Sequence, residues 1–254
     1  MRFLLFLLLP WTLQATYVGN PASPGLLQTG LFSVHNYLIN VATGYVYDIS
    51  WDKKIAAKDP SYPVDEFTVE SNWSAISLTL LRRLSVYSYL GVSKETMQWD
   101  QSSLSGHGGK LKTKNHFSYS VGTKVILLQF GSTKIALDAQ YFSLPSSSSF
   151  AKTIGSIYWA FDPGEQSLSV EEWHIALGFV RSLGPFSAYL GGKYSQKDIQ
   201  VFSEDSSPTL EFSQKVPVGL FGGLSLNVSR GLYLNLGGRL FDEYALSFAA
   251  IAAF

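Results

Sequence analysis

From Val41 to the end of the chain, apolar and non-apolar residues alternate with a period of two. No apolar run after Ala15 approaches the roughly 20 residues that a membrane helix needs. A period of two places successive side chains on opposite faces of an extended strand. Between Lys215 and Val228 one face carries Val216, Val218, Leu220, Leu224, Leu226 and Val228, and the other Lys215, Pro217, Phe221, Ser225 and Asn227. The next stretch sets Leu232, Leu234, Leu236 and Leu240 against Tyr233, Asn235, Gly237 and Arg239. The last sets Tyr244, Leu246, Phe248 and Phe254 against Ala245, Ser247 and Ala249. To sit in a membrane, such a chain must close into a barrel, because open strands leave backbone groups unsatisfied in lipid.

The composition of the non-apolar face separates lipid from water. A secreted β-sandwich or a lipocalin-like barrel also alternates, but it buries the apolar face and shows a charged one. Here the second face is largely Gly, Ser, Ala, Asn and Tyr, and charged residues make up 15% of the chain, against about 25% in soluble proteins. The connections point the same way. Short ones at Arg82-Arg83, Gly131-Ser132, Leu183-Gly184 and Ser229-Arg230-Gly231 alternate with long polar stretches near 52–71, 93–115, 144–167 and 196–209. Outer-membrane barrels combine short periplasmic turns with longer extracellular loops. The expected fold is therefore all-β, a transmembrane antiparallel up-and-down β-barrel. It should have about ten strands, within a range of about 8–12, near 41–51, 72–82, 84–93, 116–129, 132–143, 169–182, 185–195, 213–228, 231–241 and 244–254. An even number puts both ends of the barrel on the periplasmic side, with Asp242-Glu243 as an unusually short outer loop.

The first residues fit export. Met1-Arg2, the apolar run Phe3 to Leu9 and a small residue at Ala15 describe a secretory signal. The expected organisation is a signal peptide over 1–15, a periplasmic N-terminal segment over 16–40 and the barrel over 41–254. Phe254, ending an alternating strand, suits the terminal aromatic of outer-membrane barrels, so the expected location is the bacterial outer membrane, crossed many times.

With this alternation the inward set includes Asp48, Lys124, Lys134, Asp138, Glu172, His174, Lys193 and Arg239, the candidate pore-lining residues. Charges in a watery lumen bias ion passage, whereas charges facing lipid are costly. The set mixes both signs, and its members could instead pair with one another and plug a narrow barrel. Tyr45, Tyr47, Trp51, Phe117, Tyr119, Trp173, Tyr194, Tyr244 and Phe248 fall on the lipid side, as interfacial aromatics do. Enzyme chemistry is not expected. His35, His107, His116 and His174 lack metal-ligand spacing, and Gly106-His107-Gly108-Gly109 has no nucleophile elbow to accompany it. No cofactor or metal site is expected. A net charge of zero without a basic stripe gives no reason to expect nucleic acid.

Several segments, in order along the chain, carry a resemblance. They are Val18-Gly19-Asn20-Pro21-Ala22-Ser23-Pro24; Asn72 to Gly91 through Trp73, Leu78, Arg83, Val86 and Leu90; and Phe117 to Gly122 with Gln140-Tyr141. The others are Glu172-Trp173-His174 with Gly178 and Tyr189 to Ser195, and Gly238 to Glu243 leading to Phe254. Together they resemble the chlamydial major outer membrane protein family. The resemblance implies an outer-membrane barrel with porin activity and an abundant envelope component able to self-associate. Members of that family are longer and rich in cysteine. This chain is shorter, which implies a narrower barrel, and it has no cysteine, which excludes disulfide cross-linking. The expected function is porin-like passive diffusion of ions and small solutes. The alternative is a structural or surface-interaction outer-membrane protein with a closed barrel. Expected partners are outer-membrane lipid, small solutes or ions, and further copies of the chain in a homo-oligomer.

Overall fold

The computed structural model describes residues 19–23, 39–58, 64–99, 108–154, 166–203, 210–229 and 231–254. The expected signal peptide over 1–15 lies outside these residues, as does His107. The described strands are β1 (Ile39–Trp51), β2 (Ile55–Ala57), β3 (Val64–Leu80), β4 (Leu84–Trp99), β5 (Gly108–Thr113), β6 (His116–Phe130) and β7 (Thr133–Ile154). They continue with β8 (Gln166–Leu183), β9 (Phe186–Ser203), β10 (Leu210–Gln214), β11 (Val218–Ser229), β12 (Leu232–Leu240) and β13 (Tyr244–Ala253).

Ten of these, β1, β3, β4, β6, β7, β8, β9, β11, β12 and β13, pair antiparallel in chain order and close into a barrel where β13 meets β1. The seam runs from Ala42↔Ala253 to Trp51↔Tyr244. Phe254 extends it, its N–H donating to Val41 O at 2.8 Å and its carbonyl accepting from Asn40 Nδ2 at 3.2 Å. The short turns fall where the residue types demand. Gly131 and Gly184 have φ of 57° and 64°, the left-handed geometry that two-residue hairpins need. At the β3–β4 turn Leu81 and Arg82 adopt φ of 52° and 56° without a glycine. These turns and both ends of the barrel lie together, at the end that faces the periplasm in barrels of this kind.

On the outer face, β4 shows Leu84, Val86, Leu90 and Val92, and β8 shows Ile175, Leu177, Phe179 and Leu183. These are apolar bands about the length of a membrane-spanning strand. Trp173 and Tyr194 at their upper margin meet at a tilt of 46° with ring centroids 5.3 Å apart, and Tyr119 and Tyr141 lie 6.2 Å apart. Of the aromatics expected on the lipid side, Tyr45, Trp51, Phe117, Tyr194, Tyr244 and Phe248 are exposed and Tyr47, Tyr119 and Trp173 half-buried.

Above the band the structure corrects the expectation of long loops. Much of 64–71, 93–99, 108–113, 144–154, 166–172 and 196–203 is strand, and the serine run at 146–149 lies within β7, with Ser147↔Leu168 and Ser149↔Gln166 in register. The reason is an inversion of the two faces. The outer side becomes polar, with Glu66, Thr68, Lys94, Thr96, Glu171, Gln196 and Gln200, while Phe67, Met97, Leu111, Leu144, Leu168 and Ile199 turn inward and are buried. These strands bury an apolar core in water, as a soluble barrel does.

The ring also narrows there. The β12–β13 hairpin stops at Phe241–Glu243, and β2 crosses above it to pair with β10, Phe212↔Ala57 to Gln214↔Ile55. Lys54 N–H donates to Asp242 O at 3.1 Å and Lys53 N–H to Phe67 O at 3.2 Å, tying this crossing to the hairpin below and to β3. Among the described residues the upper ring is made of eight segments, β2, β3, β4, β5, β7, β8, β9 and β10, a number whose interior side chains alone can fill.

Candidate functional site

All eight charged or polar residues assigned to the interior are there, each at most 6% exposed. Six of them, Asp48, Lys124, Asp138, Glu172, Lys193 and Arg239, stand in ion pairs. The Arg239 guanidinium grips Asp48 with both terminal nitrogens at 2.8 Å, and its Nε donates to Glu243 Oε1 at 2.6 Å. Lys193 reaches Glu243 at 2.5 Å and Asp242 at 2.6 Å. Glu172 accepts from Lys53 at 2.9 Å and from Lys197 at 3.1 Å, and Lys53 also meets Glu243 at 2.9 Å. Nearer the short turns Lys124 pairs with Asp138 at 3.6 Å, and Tyr87 donates to the same carboxylate at 2.7 Å. Lys134 points inward close to the Gly131-Ser132 turn, apart from this layer.

One of these contacts crosses the lumen. Lys53 follows β1, and Glu172 stands on β8, halfway round the ring from β1 in either direction. Asp52, with φ of 53°, turns the chain inward just before Lys53, so the Lys53–Glu172 pair bridges the barrel from wall to wall. Above it lie the buried Phe67, Met97, Leu111, Leu168 and Ile199. At the level of Glu172 itself, its register partner Phe142 meets Trp73, three strands away, with ring centroids separated by 5.9 Å.

Nearer the short turns the lumen holds part of the chain itself. Residues 19–23, the described part of the segment expected to lie in the periplasm, sit inside the barrel. Asn20 Nδ2 donates to Ser225 Oγ at 2.9 Å, Asn20 O accepts from Lys124 Nζ at 3.4 Å, and Pro21 occupies the space over Gly178 that a Cβ would take.

No protein-family model matches the chain, and no curated protein matches it. Among solved structures, the translocator domain of the autotransporter NalP from Neisseria meningitidis is 9% identical with a TM-score of 0.46, over 87% of this chain and 89% of that one. The outer membrane protease OmpT from Escherichia coli is 11% identical with a TM-score of 0.41, over 87% and 97%. The Ralstonia pickettii toluene transporter TbuX is 9% identical with a TM-score of 0.35, over 92% and 91%. The barrel rests on the strand pairing itself, and none of these likenesses bears on what the chain does.

The sequence pattern missed Lys53, Glu95, Lys197, Asp242 and Glu243. The first three stand in stretches read as outer loops, and the last two in a turn expected to face water. Asp242 and Glu243 instead fold back into the lumen, where Gly219 leaves room for the Asp242 carboxylate; a Cβ there would collide with it. The signal was present at Glu95, which holds the inward phase between Ser93 and Met97. Neither carboxylate oxygen of Glu95 nor either ring nitrogen of His174 has a hydrogen-bond partner among the described residues. Those residues include no group of three that could hold a metal ion.

Glu95 lies above the lipid band, which ends on β4 at Val92. Burial pushes its carboxyl up to about 7, against the opposing pull of Lys197 and Lys53. Between the unfolded carboxyl's ordinary 4.5 and this value, the folded chain holds a proton that the unfolded chain has lost. Glu95 therefore stabilises the fold less as pH rises through that window. Glu95→Gln is expected to gain on the parent by up to about 3 kcal/mol between pH 5 and pH 8, measured by urea unfolding in micelles. An equal difference at both pH values would show that the carboxyl titrates normally.

Proposed function

We propose that this chain is a bacterial outer-membrane protein with a closed barrel, whose work is structural or done at its outer surface. The Lys53–Glu172 bridge carries the proposal. It joins opposite walls of the lumen, between an apolar core above and the chain's own residues 19–23 below. The apolar outer band supports residence in lipid, and the polar upper ring supports a rigid platform standing above the membrane surface. No enzymatic activity is part of this reading. Kinship with the chlamydial major outer membrane proteins is part of it, on the residues that carry the resemblance.

The porin-like reading is second. The observation in its favour is the set of buried lumen atoms without hydrogen-bond partners among the described residues, on Glu95 and His174, which water would satisfy. Planar-bilayer recording of the refolded protein separates the two. The closed reading expects a membrane that stays silent at moderate voltage, and steady open-channel current would replace it with the porin.

A further inference from the structure

The lipid-facing wall has a groove of about 380 Å³ where β11 and β12 meet. Its floor is Gly222 and Gly238, directly opposite each other in register. Leu190 and Leu246 stand on either side in the neighbouring strands, and Leu220 and Leu240 rise above. Packing within the protein does not account for Gly238. A Cβ built there meets nothing nearer than Ala245 O at 3.6 Å, an ordinary contact. Glycine weakens a strand interior, and its common reason there is the close approach of something else.

Size and surroundings point to the occupant. A cavity of about 150 Å³ takes a benzene ring, so this one takes a length of hydrocarbon chain. A second barrel would need about 800 Å² of matching surface, and the leucines around the dip keep a flat neighbour from its floor. Trp51, Phe241 and Tyr244 stand exposed toward the upper rim, the aromatic setting of a headgroup boundary. Just beyond, Lys54 and Lys215 join by a backbone hydrogen bond of 2.7 Å above the Asp242 turn, and both reach the outer surface. They carry two positive charges against the one of Asp52, which pairs with Lys54.

We propose that this groove is a binding site for one acyl chain of an anionic lipid whose phosphate lies against Lys54 and Lys215. The site depends on the transmembrane barrel and is independent of whether the lumen conducts.

Native mass spectrometry of the detergent-purified protein with added phosphatidylglycerol tests it. Gly238→Leu, whose Cβ meets only ordinary contacts, projects into the groove and is expected to weaken retention at least about fivefold, with Gly238→Val as the smaller second variant. Ala188→Leu, on the same face of β9 outside the groove, should bind as the parent does. Lys215→Glu should remove the preference for phosphatidylglycerol over phosphatidylethanolamine. Heat-modifiable gel migration reports that each variant is folded. Unchanged retention in folded Gly238→Leu or Gly238→Val overturns the site, and an unchanged headgroup preference in Lys215→Glu overturns the assignment of the phosphate. A parent dimer that Gly238→Leu dissociates would assign the groove to a second copy and equally overturn it.

Discussion

Replacing Arg239 with leucine is expected to cost the folded barrel about 3–5 kcal/mol, the usual consequence of removing one partner from a buried ion pair. Its guanidinium satisfies both oxygens of Asp48 and one of Glu243 in a fully buried site. Glu243 keeps Lys53 and Lys193, but Asp48 loses the cation that holds it. Arg239→Lys should fall between, because a single ammonium cannot reproduce the two-pronged grip. The double replacement Arg239→Leu, Asp48→Leu should recover most of the loss, since the penalty lies in the stranded carboxylate rather than in the lost attraction. Urea titration of the refolded protein in micelles measures all four states. A single substitution costing under about 1 kcal/mol would mean that Arg239 is solvated, as in an open pore.

The transmembrane half was legible because lipid imposes one rule on every strand. Wherever the outer face had to be apolar, as at Leu84 to Val92 or Trp173 to Phe179, alternation gave the strand, its phase and the inward side of all eight interior residues. The turns were legible because Gly131 and Gly184 supply left-handed geometry. The upper half was not legible from the same rule. There the outer face is Glu66, Lys94 or Gln196, so the composition reads as loop, although Phe67, Met97 and Ile199 keep the inward phase. Which cation meets which carboxylate was also hidden, since Lys53 and Glu172 are brought together only by barrel closure. Asn235 shows what pairing adds. Alternation alone makes Asn235→Arg a cheap change into a watery lumen, whereas the structure buries this side chain against Ser225 Oγ, with Asn20 bonded to the same hydroxyl. An arginine there is expected to disrupt packing.

The inversion of faces leads to a prediction within one strand. On β8, Phe179 looks into lipid, Ser169 stands on the outer face above the band, and Val170 is buried in the upper core. Phe179→Arg should cost about 2–4 kcal/mol, the price of a cation near the bilayer midplane. Ser169→Arg, on the same face but in water, should stay within about 0.5 kcal/mol of the parent. Val170→Arg, one residue further along, should cost more than about 4 kcal/mol, because an unpaired charge would lie among Leu144, Leu168 and Ile199. Unfolding free energies in lipid vesicles rank the three. A barrel with flexible loops above the membrane would instead tolerate both Ser169→Arg and Val170→Arg. The order Val170, Phe179, Ser169 is expected only if the strand leaves the membrane intact and exchanges its apolar side from the lipid to the core.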